Sequence, residues 1–372
     1  MKTFKTTVSF LTLFLILTIS SNTFAQDAPA EEKEEPKFTF AGSIDTYFHA
    51  SLNTEETAPG TSFANLKGFS LGMVDLIASY GGEKVGFTAD VIFGPRGVES
   101  IFGPSATGQK IINQMYAYYK FNNSLTLNLG QFNTFVGMET ITPIPNTHYS
   151  TSYLFTNGPF NHTGLRLDIA TESGFGAKLA IMNPTDIVEF NPVGTYTLGA
   201  QLGITKDNGG AYLNFLFGDP DGNDATDSNN IYGDLFQVDL TTSWSLGDKF
   251  TLGANASFRS LPYETSGLDG TSFMGVALYP KLSLTENFAL ALRAEHFIAK
   301  NYYPVVGPFG LDTNGDGSVT ALTLSGNLTS GGLRIIPEIR LDNMKEDAYT
   351  KKDSTDPTKT MLTFNLAAVY SF

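Results

Sequence analysis

Hydrophobic and polar residues alternate with period two along most of this chain. In the final stretch, "MLTFNLAAVYSF", Leu362, Phe364, Leu366, Ala368, Tyr370 and Phe372 share one face; Thr363, Asn365, Ala367, Val369 and Ser371 share the other. A step of two is the signature of a β-strand whose faces meet different surroundings. Near the start, Phe38, Phe40, Ile44, Phe48 and Leu52 oppose Ser43, Asp45, Tyr47 and His49 in the same way. The alternation recurs in "HTGLRLDIAT", "LFQVDLTTSWSL", "KFTLGANASFR" and "FALALRAEHF".

The pattern predicts about sixteen strands. They cover residues 38–52, 67–80, 84–93, 112–121, 124–132, 163–171, 175–183 and 195–205. The rest are 211–217, 234–246, 249–259, 272–284, 287–298, 318–326, 332–342 and 361–372. Some fit poorly. The second carries Phe69, Leu71, Met73 and Ile77 on the face expected to be polar, and Pro280 and Pro337 interrupt two others. Proline cannot donate to a ladder, and a bulge is one way around it.

The connections alternate in length. "YGGEK", "FNNS", "TESG", "LGD" and "TEN" are tight turns rich in Gly, Asn and Asp, the residues that turn chemistry favours. Between them lie long polar connections, the longest at about 133–162. A sandwich has no reason for every second connection to be long. A transmembrane antiparallel β-barrel has one, because its periplasmic turns are short and its extracellular loops long. In lipid every backbone group needs a partner, so such a sheet must close, the last strand on the first. A strand that alternates cleanly up to Phe372 suits that closure.

Composition fits an exported chain. Lys2 and Lys5 precede an apolar run from Val8 to Ile19, and Thr23-Phe24-Ala25 suits cleavage before Gln26. Residues 1–25 are therefore expected to be a signal peptide, 26–37 an acidic flexible tail, and 38–372 the barrel. The chain has no cysteine, which excludes disulfides, thiolate metal sites and a Cys nucleophile. Its formal net charge of -14 argues against nucleic acid, whose phosphates require Lys and Arg.

Three segments, "GQFNTFVGMET" (130–140), "HYSTSYLFTNGPFNHTGLRL" (148–167) and "LRAEHF" (292–297), resemble the β-barrel porin-2 family, also called OmpL-like porins. The likeness runs over most of the chain after residue 25. It implies an outer-membrane channel in a Gram-negative bacterium, passing small polar solutes and ions by passive diffusion without a cofactor. It further implies outer-membrane lipid around the barrel, an aromatic Phe372 read by the barrel-assembly machinery, and a homo-oligomer such as a trimer. The longest loop resembles the inward-folded third loop of sixteen-stranded porins.

In a barrel the polar faces line the lumen. Glu139, Asn146, His148, Arg166, Arg293, Glu295, Arg334, Glu338 and Arg340 are the expected pore-lining and constriction residues. With both signs present, the wall is expected to discriminate ions weakly. Other chemistry has thinner support. "GFSLG" (68–72) matches a nucleophile elbow around Ser70, but that motif needs a strand, a sharp turn and a helix. A barrel hydrolase and a barrel that only anchors loops are the alternatives to a channel. Asp312, Asn314 and Asp316 match the start of a calcium loop; Thr323 stands where a bidentate Glu belongs, so the match is incomplete.

Overall fold

The computed structural model describes residues 37–372 except 57–62, 104, 107, 223–230 and 265–268. The expected signal peptide and all but the last residue of the expected tail lie outside the described residues. Sixteen antiparallel strands close into a single barrel. In chain order they begin with β1 (Lys37–Ser51), β2 (Gly68–Gly81), β3 (Val85–Phe93), β4 (Ile112–Asn122) and β5 (Leu125–Asn133). Next come β6 (Asn161–Ala170), β7 (Phe175–Met182), β8 (Thr197–Lys206), β9 (Gly209–Gly218), β10 (Leu235–Leu246) and β11 (Phe250–Leu261). Then follow β12 (Thr271–Thr285), β13 (Phe288–Lys300), β14 (Gly317–Ser330) and β15 (Leu333–Met344). A small hairpin, β16 (Tyr349–Thr350) with β17 (Pro357–Thr358), precedes the closing strand β18 (Thr360–Ser371). Among the described residues two short helices, α1 (Pro95–Ser100) and α2 (Tyr153–Thr156), lie in long connections.

Each strand pairs with its sequence neighbours, and β18 pairs with β1 from Ser43↔Ser371 to Ser51↔Thr363. Beyond the last ladder pair, the Gly42 and Phe372 backbones exchange two hydrogen bonds of 3.2 and 3.1 Å. The Phe372 ring sits 6.0 Å from that of Phe40 on the outer face. The period-two pattern is satisfied by this closure. Phe40, Ile44, Leu129, Leu198, Val276 and Leu324 project outward and are exposed, while Asp45, Asn128, Asp239, Arg293 and Glu338 point inward and are buried. An Arg or Lys on the outer face would cost about 2–4 kcal/mol at the bilayer midplane, so charge is confined to the inner face.

The misfit in β2 has a physical cause. Ile44 pairs with Val74 and Thr46 with Leu71, so Gly72 and Met73 together oppose Asp45. This bulge reverses the parity. Phe69 and Leu71 face out before it; Met73 and Asp75 are buried inside after it. Pro280 and Pro337 need no bulge. The ladder skips Tyr279–Pro280 against β13, and Ile336–Pro337 against β14, without a change of register.

Candidate functional site

Residues 134–160 do not extend beyond the rim. They fold into the lumen and follow its wall. Gln201 Nε2 on β8 donates to Phe135 O at 3.1 Å, and Gly137 N donates to Asp239 Oδ1 on β10 at 3.0 Å. Further on, Arg334 of β15 donates to Pro143 O, and Asn327 of β14 to Thr147 O at 3.0 Å. A turn inside the loop is closed by Asn146, which accepts from Thr140 N at 3.0 Å and donates to Thr140 O at 2.8 Å.

Five consecutive or near-consecutive amides of the loop are held by three carboxylates. Glu338 accepts from Tyr149 N at 2.8 Å and Ser150 N at 3.2 Å. Glu139 accepts from Ser152 N at 2.7 Å. Glu295 accepts from Tyr153 N at 2.9 Å and Leu154 N at 2.8 Å. Two guanidinium groups take the carbonyls between them. Arg293 donates to Ser150 O at 2.7 Å and Thr151 O at 3.2 Å, and Arg340 to Thr151 O at 2.7 Å. The two cations are themselves neutralised, Arg293 by Glu139 at 2.6 Å and Arg340 by Asp342 at 2.9 Å. Buried charges persist where they are paired and their remaining hydrogen bonds are met. Here the loop backbone supplies most of those bonds, with Thr323 Oγ1 taking one from Arg293 and Arg293 Nε left without a partner among the described residues.

Apolar contacts fix the same path. A Cβ added at Gly199 would meet the Phe135 ring at 2.7 Å, one at Gly275 would meet Leu154 at 2.9 Å, and one at Gly253 would overlap the Met138 methyl. All three glycines face inward, so each leaves a dent in the wall for one loop side chain. From the opposite side, α1 contributes Arg96. Its guanidinium donates to Ile141 O at 2.7 Å and Tyr149 O at 3.2 Å and lies over the Phe63 and Tyr149 rings. Tyr149 Oη donates to Asp45 on β1 at 2.5 Å.

The loop leaves polar space on its short-turn side. A cavity of about 720 Å³ is bounded by loop residues 133–140 and by Arg166, Lys178, Gln201, Tyr212, Thr241 and Ser243 of the wall. It shares Met138, Glu139 and Ser243 with a space of about 180 Å³ that reaches Asn146 and Lys281. That one shares Pro145, Thr147 and Lys281 with a third, of about 330 Å³, beside Arg334. A closed sixteen-strand barrel with an inward loop and polar space along it has the form of a porin.

The family model for "Putative beta-barrel porin-2, OmpL-like" matches residues 37–372. The chain belongs to this family. It is an outer-membrane porin channel. No curated protein sequence matches it. Solved porins share its fold at low identity. The anion-selective porin from Comamonas acidovorans is 12% identical, with a TM-score of 0.61 over 91% of this chain and 100% of that one. The channel DcaP of Acinetobacter baumannii is 14% identical, with a TM-score of 0.57 over 91% and 97%. OmpT of Vibrio cholerae in its trimer form is 12% identical, with a TM-score of 0.56 over 91% and 100%.

The porin places its nine expected site residues in two groups. Arg293, Glu295, Glu338, Arg340 and His148 are each no more than 2% exposed. They lie between wall and loop rather than on the open cavity, which departs from the expectation of a pore lining. The reason is the loop, whose backbone occupies the space their side chains would otherwise share with water. Glu139 and Asn146 hold the loop and also border cavities; Arg166 and Arg334 border cavities from the wall. Two segments of the family resemblance meet in this clamp of loop against wall: "HYSTSYL" supplies the amides and "LRAEHF" supplies Arg293 and Glu295, while Glu338, Arg340 and Asp342 come from β15. Arg96 was not legible as a site residue, being one arginine in a polar connection.

The remaining motifs resolve locally. Ser70 lies within β2, its Oγ donating to Leu66 O at 3.2 Å, so "GFSLG" forms a strand, not an elbow. Asp312 accepts from Asn314 N at 2.8 Å and Asp316 N at 3.0 Å, with Lys345 3.4 Å away; Asp316 pairs with Lys300 at 2.6 Å. These backbone donors hold the Asp312 carboxyl below its usual range, as Lys300 does for Asp316. Among the described residues no three His, Asp or Glu side chains group to hold a metal ion.

Proposed function

We propose that this porin passes small hydrophilic solutes and ions by passive diffusion and carries out no reaction. The observation that supports this most directly is the run of polar spaces beside a loop fixed to the wall. In this reading the fixed loop narrows the passage, and polar groups along it let a solute keep hydrogen bonds as it sheds water. In this reading residues 1–25 are a signal peptide removed before Gln26, 26–37 a polar leader, and the mature chain works as a trimer in a Gram-negative outer membrane. The trimer form of Vibrio cholerae OmpT supports the last point by likeness of fold.

The test is single-channel recording of the purified mature protein in planar bilayers. Stepwise conductance that rises with salt is the expected result. A protein that inserts and gives no steps would overturn the channel reading in favour of an anchoring barrel. Intact mass of the outer-membrane form checks the cleavage site, and native mass spectrometry in detergent checks the trimer.

A further inference from the structure

We infer that the short-turn vestibule of this acidic porin is an anion filter, set by Lys178, Lys281 and Arg334 with Arg166 and Lys120. The inference rests on the channel reading above and names the solute class it favours.

Inward-facing charges divide by position. At mid-barrel, acids and bases alternate, but the loop covers them: Arg293 is 0% exposed, Glu338 1% and Arg340 2%. The clamp holds four carboxylates, Glu139, Glu295, Glu338 and Asp342, against the guanidinium groups of Arg293 and Arg340; the two carboxylates in excess, Glu295 and Glu338, are buried against loop amides and face away from the water path. Between the loop and the short turns, the inward strand positions carry Lys120, Arg166, Lys178, Lys281 and Arg334 against a single acid, Asp168. The parity follows from the ladder: Lys120 pairs with Thr126, Asp168 with Lys178, Lys281 with Ala291 and Arg334 with Val369, all inner-face positions. Asp168 is shared, 2.9 Å from Arg166 and 3.4 Å from Lys178, so it cannot neutralise both. Among the described residues no ion pair is formed by Lys281 or Arg334. Glu286 also borders the vestibule, from the turn at its mouth.

The whole chain carries -14, so excess positive charge at one end of the lumen is local and runs against composition. Like charges on a narrow polar wall focus the field and enrich counter-ions. Lys178 keeps 30% of its side-chain exposure and Arg166 keeps 14%, so the cations remain in contact with the cavity. The solutes that such a wall draws in are small anions bearing carboxylate or phosphate groups, with chloride the simplest. Arg and Lys both suit these oxyanions, Arg as a planar fork and Lys as a point charge.

The experiment is the reversal potential of the mature porin across a gradient of potassium chloride, then of potassium phosphate. Recordings run near 0.1 M salt, where the Debye length is about 10 Å and wall charge still acts. Wild type is expected to prefer anions with both salts. The triple variant Lys178→Gln, Lys281→Gln, Arg334→Gln is expected to lose that preference by at least roughly twofold in permeability ratio, and the difference to shrink near 1 M salt. Heat-modifiable migration confirms that the variant barrel is folded, and each single variant is recorded alongside it. Lys352→Gln, on the outer loop, is expected to behave as wild type. Cation preference in wild type overturns the inference. So does a triple variant that conducts with unchanged anion preference. Absence of steps in wild type overturns the channel reading itself and this inference with it.

Discussion

Arg293 Nη1 lies 2.6 Å from Glu139 Oε1, with both side chains buried, and this ion pair joins the middle of β13 to the inward loop. The same guanidinium donates to two loop carbonyls, so one side chain satisfies both the charge and the backbone of the segment it holds. Removing one partner of a buried pair leaves the other uncompensated, at a cost of about 3–5 kcal/mol. Arg293→Met should therefore release the loop, leaving the barrel closed. The expected outcome is normal heat-modifiable migration, faster protease cleavage between 139 and 154, and noisier current. Cleavage at the wild-type rate would show that the pair does not hold the loop.

The dent at Gly253 gives a complementary test, because it adds atoms where Arg293→Met removes charge. A Cβ there overlaps the Met138 methyl, with the Tyr279 Cβ only 3.3 Å away. Overpacking of this kind costs about 1–3 kcal/mol and is relieved where the structure yields most easily. The loop yields more easily than a strand paired on both sides. Gly253→Val should shift the 137–139 segment and change single-channel conductance, and Met138→Ala on the same chain should restore much of it. A conductance equal to wild type in the single variant would place Met138 elsewhere.

Much of this architecture was legible in the sequence. Hydrophobic alternation located all sixteen barrel strands to within a few residues, because lipid outside and water or polar loop inside impose one periodicity on every strand. The exception was β2, where alternation alone could not report the extra residue at Gly72-Met73. Inward parity of Arg293, Glu295, Glu338 and Arg340 was also legible. Their coverage by the loop was not, since that depends on which amides of residues 149–154 reach which carboxylates, a pairing 141 or more residues apart in sequence for every wall contact. The vestibule charge could be seen only after those mid-barrel charges were removed from the lining.

Closure of the barrel depends on its last residue in a specific way. Phe372 contributes two backbone hydrogen bonds to Gly42 and one ring contact to Phe40. Deleting it removes both hydrogen bonds, whereas Phe372→Asp keeps them and loses the ring. If the assembly machinery reads the aromatic, both variants should lower the yield of heat-modifiable barrel to a similar extent while secretion across the inner membrane is unchanged. If only the deletion lowers yield, the backbone seam matters and the ring does not.

His148 makes the clamp sensitive to acid. Its Nδ1 is 2.8 Å from Ser325 Oγ beneath the loop, and Glu338, Arg293 and Arg340 face the ring. Burial, reinforced by the neighbouring Arg293 guanidinium, pushes the imidazole down to about 3. An imidazole on a released loop titrates near 6.5. Between these values the released loop binds a proton that the seated loop does not. Linkage then makes the seated state less stable as pH falls through about 6.5, with the loss complete below about 3 and no dependence from this group above neutrality. At pH 5 the shift corresponds to about 2 kcal/mol against seating. The expected outcome is that protease cleavage within 139–154, and current noise, rise between pH 7 and pH 5. His148→Gln, which has no proton to gain in that range, should flatten both profiles. The permanent charges of Arg293 and Arg340 cannot substitute for it, because they do not titrate there. An acid response retained in full by His148→Gln would assign it to the carboxylates of the clamp instead.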